Sequence, residues 1–218
     1  SAELLKELLP ESAKVLEAPG AHFGGAVQRA VDHMPAPAEG DSNEWLWFIH
    51  DDSDPAPDAL ELMLEEISKS ESTAIAGAKQ VDATDRVHLL DAGLSLTRRG
   101  ERFAGVGLEE KDQGQYDMYT DRLGVNSAGM LIRRDVFEEL GGFDPALPGV
   151  GDDVDLGRRA WLAGYRVVLV PGAYMYHRPD VVKEIAGEDA QYAAAQYTRL
   201  KYAAPFTSLF LGLWMVVS

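Results

Sequence analysis

The feature that most constrains the fold is a short apolar run that ends abruptly in acidic residues. Residues 45–49 read Trp-Leu-Trp-Phe-Ile, and residues 50–54 read His-Asp-Asp-Ser-Asp. A continuous apolar run of this length is typical of a central strand covered on both faces. Pro57 and Asp58 then open a segment with apolar residues at 60, 63, 64 and 67, the spacing of an amphipathic helix. This region therefore predicts a strand and a helix, with the acidic residues on the loop between them.

The alternation of strands and helices continues along the chain. A second strand is predicted over residues 127–132, followed by a helix over 135–140 that Gly141 and Gly142 end. Another helix is predicted over 152–163, ended by Gly164, before a strand over 167–170. This order predicts an α/β layer fold with a largely parallel central sheet flanked by helices. Because ligands bind beyond the carboxyl ends of such strands, we expect the acidic loop at the functional edge.

Composition excludes several classes of function. The chain has 218 residues and 46% hydrophobic content, enough for one substantial core. Its formal charge of -16, from 36 Asp and Glu against 20 Lys and Arg, would repel a polyphosphate backbone, so no nucleic-acid partner is predicted. The same carboxylates suit hard divalent cations. The absence of cysteine excludes a disulfide, a thiolate zinc site and a thiol nucleophile, and it fits a reducing compartment.

The acidic loop over residues 50–54 is the first candidate site. Three of its residues are carboxylates within four positions, so they need a cation or several backbone donors nearby. A divalent metal is the simplest such partner. The alternative is a solvated turn that caps the following helix.

A second acidic cluster opens the predicted helix over 152–163. Residues 149–156 read Gly-Val-Gly-Asp-Asp-Val-Asp-Leu, which places Asp152, Asp153 and Asp155 in the first turn. The helix dipole favours carboxylates there and accounts for two of them, but the third needs another explanation. Adjacent carboxylates also let one residue position a substrate while the other accepts a proton. His177 follows a strand-like stretch; a lone histidine is more often structural than a ligand.

Five segments together resemble the second half of the family 2 glycosyltransferases, in the family's order and spacing. They are residues 127–137 (SAGMLIRRDVF), 141–144 (GGFD), 151–156 (GDDVDL), 163–167 (AGYRV) and His177-Arg178. Residues 23–27 (FGGAV) are similar to the Gly-rich helix start of this family. The resemblance covers residues 3–202, and it implies the GT-A fold with a Rossmann-like sheet. It further implies transfer of a sugar from a nucleotide-sugar to an acceptor hydroxyl, as in bacterial rhamnosyl- and galactofuranosyl-type transferases.

The resemblance also assigns roles to individual residues. His50, Asp51 and Asp52 match the family's Asp-x-Asp motif, with His50 in place of an aspartate, so Asp52 is the first choice for the metal; Asp54 could instead close an Asp52-Ser53-Asp54 motif. Asp153 matches the catalytic base of a Glu-Asp pair, with Asp152 replacing the glutamate, and His177 matches a histidine that completes the metal shell. The implied sites are catalytic Asp153 and Asp152; donor-binding Asp51, Asp52, Phe23, Gly24 and Gly25; metal-binding Asp52, His177, Asp54 and His50; and acceptor-side Trp161, Gly129 and Arg178.

The implied reaction is an inverting, metal-dependent transfer. A cation, Mn²⁺ or Mg²⁺, would offset the charge that develops on a nucleoside diphosphate leaving group, while Asp153 takes the proton of the attacking hydroxyl. Trp161 could be either a core residue or an acceptor-facing one. Two other classes stay open. A nucleotidyltransferase would share the sheet and the acidic loop but would carry a basic Gly-rich phosphate loop near its start, and a non-catalytic sugar- or nucleotide-binding relic is also possible.

The two ends of the chain carry separate expectations. Residues 1–204 are expected to form the glycosyltransferase domain, lacking the family's first strands before Ala2. Residues 205–218 are expected to be an apolar tail, too short to cross a bilayer that needs about 20 residues. The tail could begin a membrane helix or form an interfacial or core helix. These features predict a cytoplasmic domain at the inner face of the cell membrane, acting on a saccharide or lipid-linked acceptor.

Overall fold

The computed structural model describes residues 9–10, 12–37, 43–178 and 187–203. The apolar tail predicted over residues 205–218 lies outside the described residues. In chain order the elements are α1 (Phe23–Asp32), β1 (Trp45–Trp47), β2 (Ser53–Pro55), α2 (Ala59–Ser68), β3 (Thr73–Asp82), β4 (Leu89–Asp91), β5 (Ser95–Leu96), β6 (Arg102–Phe103), β7 (Leu131–Arg133), α3 (Arg134–Glu139), α4 (Asp152–Leu162), β8 (Arg166–His177) and α5 (Glu188–Lys201).

The central sheet is mixed, in the order β1-β7-β3-β8-β2, with β4 pairing β3 at one end. Only β3 and β8 pair in parallel; the other four pairings within this sheet are antiparallel. The α/β class is confirmed, but the prediction of a largely parallel sheet is wrong. Parallel neighbours need a crossover, usually a helix. The chain between β3 and β7 has no helix in its described elements, so β7 runs back against β3.

The second half of the sheet depends on one long strand. β8 covers Arg166–His177, whereas the sequence predicted a strand over residues 167–170 and a separate strand-like stretch before His177. Its pairing with β3 changes register after Val170, so Pro171 and Gly172 bulge out of the ladder and pairing resumes at Tyr174. Such a bulge explains why two separate stretches were recognised in the sequence. The strand ends at His177, one of the predicted metal ligands.

Two apolar layers cover the faces of the sheet. Ile75 and Ala76 are adjacent in β3 and point to opposite faces, one into each layer. The first layer holds Phe137 of α3 and Leu156 of α4, and the second holds Met63 of α2. Fully burying a side chain of this size stabilises the fold by about 1.5 to 3 kcal/mol. The core therefore anchors the helix whose first turn carries the second acidic cluster.

A buried lysine fixes the long segment between β6 and β7. Lys79 of β3 is fully buried, and its Nζ lies 2.8 Å from Asp112 Oδ2 and 2.6 Å from Asp117 Oδ1. The hydroxyl of Tyr174 also donates to Asp112, at 3.0 Å. A buried ammonium needs such partners, so this contact ties the segment down onto the sheet. Across the described part of the chain, no helix has the length and apolar character required to span a membrane.

Candidate metal and acid-base site

A strand pairing brings the first two candidate metal ligands together. β2 pairs antiparallel with the end of β8, with Ser53 opposite His177. The backbone N–H of Arg178 donates to the carbonyl of Asp52, at 3.2 Å. The sheet thus sets Asp52 beside His177, and Nε2 of His177 lies 3.1 Å from Oδ2 of Asp52. The acidic segment is therefore not a simple loop, because its second half is an edge strand.

His50 completes a group of three. One potential ligand atom from each of His50, Asp52 and His177 lies within 4.8 Å of the others. The His50 ring is placed by Ser127, whose Oγ lies 3.1 Å from Nε2, and by Phe23, whose ring centroid is 4.8 Å away. The backbone of His50 is also held, because the Ser53 hydroxyl donates to the His50 carbonyl. Three of the four residues predicted as metal ligands therefore lie close together, and their ligand role stays a prediction.

Two atoms of this group are buried without a hydrogen-bond partner among the described residues. They are Oδ1 of Asp52 and Nε2 of His177, whose contact with Asp52 Oδ2 is close but lacks the alignment of a hydrogen bond. Burying polar atoms without partners is costly, so such atoms call for a missing ligand. Two imidazoles and one carboxylate form a donor set that divalent transition ions accept. The residues therefore fit a divalent metal.

The electrostatics of His50 suit a ligand role. Burial lowers the pKa of His50 below 6.5, the nearby His177 lowers it further, and Asp52 and Asp153 oppose this effect. The imidazole is thus neutral at neutral pH, and metal ligation requires a neutral ring.

The remaining residues of the acidic loop lie outside the three-residue group. Asp51 and Asp54 are exposed, and Asp54 faces Tyr176 across the β2 and β8 ladder. Within the described residues, the group that could hold a metal does not include either of them. The geometry therefore favours Asp52 with the two histidines over the alternative Asp52-Ser53-Asp54 motif. A donor-binding role for Asp51 stays a prediction.

The second acidic cluster begins α4, and two glycines in the left-handed backbone conformation precede it. Gly149 and Gly151 have φ of 82° and 80°, and Gly151 is the N-cap residue. Glycine adopts this conformation without steric cost. The side chains that follow turn inward: Asp152, Asp153 and Asp155 are only 5%, 6% and 1% exposed. Burial of three carboxylates in one turn goes beyond what helix capping requires.

Asp153, the predicted base, is held by an arginine that sequence reasoning missed. Nε of Arg102 in β6 donates to Oδ1 and Oδ2 of Asp153 at 3.2 and 3.0 Å. The same guanidinium reaches Oδ2 of Asp91 at 3.4 Å. Burial raises the pKa of Asp91 to about 6, against the opposing effects of Arg102 and the Gly93 N–H. The contact joins residues 51 positions apart, and no local pattern in the sequence signals it.

Asp152 has a different environment from its neighbour. Its Oδ1 is buried and has no hydrogen-bond partner among the described residues. Burial raises the pKa of Asp152 to about 7, and Asp153, Asp155 and Asp144 add to the effect while Arg159 opposes it. A carboxyl group with this pKa can hold or release a proton near neutral pH. The pair at 152 and 153 therefore combines one carboxylate paired with arginine and one carboxyl near its titration point.

Asp155, the third carboxylate of this cluster, belongs to a helix interface. Its Oδ1 accepts from Lys201 Nζ at 2.7 Å and from the Tyr202 hydroxyl at 2.6 Å, and its Oδ2 accepts from Arg159 Nε at 2.8 Å. These contacts join α4 to the end of α5. The role of Asp155 is therefore structural.

The first turn of α1 lies between the two clusters. Phe23 contacts His50, while a Cβ added at Gly24 would lie 3.7 Å from Oδ2 of Asp152 and only 2.7 Å from Cβ of Phe143. Only glycine permits this approach. Gly25 is exposed on the same turn. The predicted donor residues 23–25 thus adjoin both the candidate metal group of His50, Asp52 and His177 and the Asp152-Asp153 pair. Asp153 affects the pKa of His50 across the gap.

The three residues predicted on the acceptor side have distinct surroundings. Trp161 packs against the first core layer and its Nε1 donates to the Arg122 carbonyl at 2.6 Å, which favours the core alternative. Gly129 donates its N–H to the Phe48 carbonyl at 2.7 Å and lies close against Met175. Arg178 is exposed directly after His177. The last two residues border the site, and their acceptor role stays a prediction.

The sheet, the edge group of two histidines and one aspartate, and the acidic helix start define a GT-A-like α/β domain. The chain matches the glycosyltransferase-like family 2 over residues 6–203, so it belongs to that family. It is 31% identical over 157 residues to the O-antigen biosynthesis protein RfbC of Myxococcus xanthus. The aligned region covers 66% of this chain and 12% of that protein. The chain thus spans about an eighth of the length of this relative.

A solved structure confirms the fold independently of sequence. The crystal structure of GalNAc-T7 with UDP, GalNAc and Mn²⁺ superposes with a TM-score of 0.51 at 13% identity, covering 72% of this chain and 30% of that one. At this identity the likeness shows the fold alone. The predicted α/β, GT-A-like fold is confirmed apart from its strand directions, and the predicted glycosyltransferase family is confirmed.

Proposed function

We propose that this chain transfers a sugar from a nucleotide-sugar donor to an acceptor hydroxyl, with a divalent cation and with inversion at the anomeric carbon. The observation that carries the proposal is the meeting of two clusters at the first turn of α1. One is the group of His50, Asp52 and His177, and the other is the pair of Asp152 and Asp153. Glycosyl transfer from a nucleotide-sugar needs a charge-stabilising group for the leaving diphosphate and a base for the attacking hydroxyl.

His50, Asp52 and His177 would hold the metal. When bound, the ion would neutralise the charge that develops on the diphosphate as the glycosidic bond breaks. Because imidazole ligands suit transition ions better than Mg²⁺, this donor set favours Mn²⁺. The presence of UDP and Mn²⁺ in the GalNAc-T7 structure, which shares the fold, supports a nucleotide-sugar donor with a metal.

The first turn of α1 would receive the donor phosphates. The N-cap residue His22 makes no side-chain cap, and no acidic residue occupies the first turn. The backbone N–H groups there are available to an anion, and the helix dipole favours negative charge at this end. Phe23, Gly24 and Gly25 would therefore contact the diphosphate beside the metal group.

Asp153 would act as the general base. Arg102 holds its carboxylate in one orientation through paired N–H donors, as a base that receives a proton from a bound hydroxyl requires. The acceptor oxygen would lose its proton to Asp153 as it attacks the anomeric carbon from the face opposite the diphosphate. No covalent intermediate is needed. Asp152, near its titration point, would orient the acceptor or Asp153.

The acceptor is proposed to be a cell-envelope saccharide, either free or lipid-linked. This proposal draws on the likeness to an O-antigen biosynthesis protein. Work on such an acceptor would place the chain on the cytoplasmic side of the cell membrane.

The test is a donor screen with Mn²⁺ that follows release of free nucleoside diphosphate. We expect release from one or more nucleotide-sugars, abolished by chelation. Release of pyrophosphate from a nucleoside triphosphate instead would indicate a nucleotidyltransferase. Donor binding without any release, across a broad acceptor panel, would indicate the non-catalytic relic and refute the proposal.

A further inference from the structure

A groove of about 330 Å³ lies between α4, α5 and the hairpin of β5 and β6. It is separate from the metal group. Among the eight residues that line it are Leu96, Arg98, Arg158, Thr198, Arg199 and Tyr202. Three of the eight are arginines and none is a carboxylate, on a chain whose formal charge is -16. A local concentration of positive charge on such an acidic surface indicates an anionic ligand.

The three arginines keep their charge available. Within the part of the chain that the structure describes, none of them forms an ion pair, whereas Arg102, Arg134, Arg159 and Arg166 all do. Arg158 lies 3.9 Å from the ring centroid of Tyr202, and Arg199 donates only to Gln196, at 3.4 Å. Stacking on a ring leaves the edge N–H groups of a guanidinium free to bind oxygen.

The groove is built by close packing. The hairpin turn docks on α5 at Gly100, where an added Cβ would lie 2.6 Å from the Ala195 carbonyl and 2.7 Å from Cγ of Arg199. Gly100 also has φ of 82°, so both its conformation and the approach favour glycine. Arg158 stacks on Tyr202, whose hydroxyl is bonded to the buried Asp155. Two of the three guanidinium stems are therefore held by packed elements.

We propose that this groove binds an anion of the phosphate class through the guanidinium groups of Arg98, Arg158 and Arg199. Arginine recognises phosphate through paired N–H donors, and three such groups suit a phosphate or diphosphate oxygen cluster. Leu96 and Tyr202 add apolar surface for an organic group attached to the phosphate.

The position of the groove indicates where the phosphate comes from. Its hairpin also carries Arg102, which holds Asp153, and Asp153 itself lies in the first turn of the α4 wall. Arg158 is five residues further along the helix, about 7.5 Å along its axis. Because the donor diphosphate is assigned to the metal group, this second phosphate belongs to the acceptor. This assignment of source, unlike the anion site, rests on the proposed function.

The anion site is tested by calorimetry on the whole chain with a metal chelator present, so that the metal group takes no part. The probes are inorganic phosphate, inorganic pyrophosphate and a short-chain alkyl diphosphate. We expect binding that weakens with added salt, and a loss of about tenfold or more in Arg158→Gln and in Arg199→Gln. Tighter binding of the alkyl diphosphate than of pyrophosphate would identify an organic phosphate as the ligand, and equal binding would identify the free anion.

Two control variants make the result decisive. Arg29→Gln removes the same charge from the exposed end of α1 and should leave binding unchanged. Glu101→Gln removes a carboxylate that Thr97 of the groove contacts at 3.1 Å, so binding should tighten. Circular dichroism checks the fold of each variant. Arg98→Gln tests the third arginine of the groove, which is exposed. Absence of binding by the natural chain, or equal loss in Arg29→Gln, would overturn the site. Neither outcome bears on nucleoside diphosphate release, which tests the proposed function separately.

Discussion

Nε of Arg102 donates to both carboxylate oxygens of Asp153, at 3.2 and 3.0 Å, across 51 positions of sequence. Arg102 is the one cation shown in contact with this carboxylate among the described residues, and it is shared with the buried Asp91. The base of the proposed reaction is therefore oriented from the β5 and β6 hairpin as well as from its own helix, where the Val154 N–H donates to Oδ1 of Asp153 at 2.8 Å.

Arg102→Gln should weaken both stability and transfer. Its loss leaves two buried carboxylates facing each other, and removing one partner of a buried pair costs about 3 kcal/mol. Nucleoside diphosphate release should fall at least tenfold while Mn²⁺ affinity is unchanged. Urea unfolding of the double variant Arg102→Gln/Asp91→Asn provides the control, because removing the second carboxylate should recover part of the lost stability. Full stability in the single variant would show that the contact is incidental.

Asp153→Asn should separate binding from chemistry. Asparagine keeps the shape of the side chain but cannot accept the proton, so turnover should fall by about 10² to 10⁴-fold with donor and Mn²⁺ binding nearly intact. Asp152→Asn should cost less. Single-turnover assays with separate binding measurements distinguish the two. If Asp152→Asn abolishes transfer and Asp153→Asn does not, the roles of the pair are exchanged.

Asp152 predicts an unusual pH dependence of stability in the metal-free chain. Its folded-state pKa of about 7 lies above its ordinary value of 3.8, so the folded state holds a proton that the unfolded state has lost between these pH values. The free energy of unfolding therefore falls as pH rises from about 4 to 7. Asp152→Asn should lack this decline and exceed the natural chain by about 2 kcal/mol at pH 8, with little difference at pH 4. Urea unfolding of both chains at pH 4 and pH 8 measures this difference in the free energy of unfolding.

Asp155→Asn is the matched control for that measurement. Asp155 accepts bonds from Lys201, Tyr202 and Arg159, so its replacement should lower stability at pH 8 by about 1 to 3 kcal/mol. Equal effects of the two substitutions would contradict the distinction between the buried carboxyl of Asp152, whose Oδ1 has no partner among the described residues, and the hydrogen-bonded carboxylate of Asp155.

Gly157→Ala in α4 should destabilise the fold although alanine is the better helix former. An added Cβ would lie 2.3 Å from the Leu123 carbonyl and 2.8 Å from Cα of Gly124. Overpacking of this kind costs about 1 to 3 kcal/mol. Gly25→Ala in α1, where the nearest atom would be 3.5 Å away, should instead be neutral or stabilise by up to about 1 kcal/mol. Thermal unfolding of both variants checks the opposite signs, and matching shifts would show that helix propensity alone decides.

Most helices and strands were predicted from short-range sequence patterns. The helices starting near Ala59, Arg134 and Asp152 were recognisable because their spacing and glycine stops are short-range signals. The direction of a strand in the sheet depends on the path of the chain between strands. The residue pattern of β7 carries no information on that path, so its antiparallel pairing with β3 was not predicted. The length of β8 was missed because the bulge at Pro171 and Gly172 interrupts its pattern.

The candidate site was predictable where a motif contains its residues and not where distant residues supply them. His50, Asp52 and His177 were named from family motifs, and the sheet register then explains their meeting. Arg102 and Asp91 lie outside every motif, since an ion pair between β6 and α4 leaves no periodic signal. The choice between Asp54 and the histidines needed side-chain exposure, which depends on the pairing of β2 with β8.

The most direct test of the proposed metal site is a calorimetric titration of four chains with Mn²⁺. These are the natural chain, Asp52→Ala, His177→Ala and Asp54→Ala, the last removing an exposed carboxylate two positions from Asp52. We expect at least tenfold weaker binding in Asp52→Ala and His177→Ala and unchanged binding in Asp54→Ala. Unchanged affinity in Asp52→Ala and His177→Ala, or an equal loss in Asp54→Ala, would contradict a metal site at His50, Asp52 and His177.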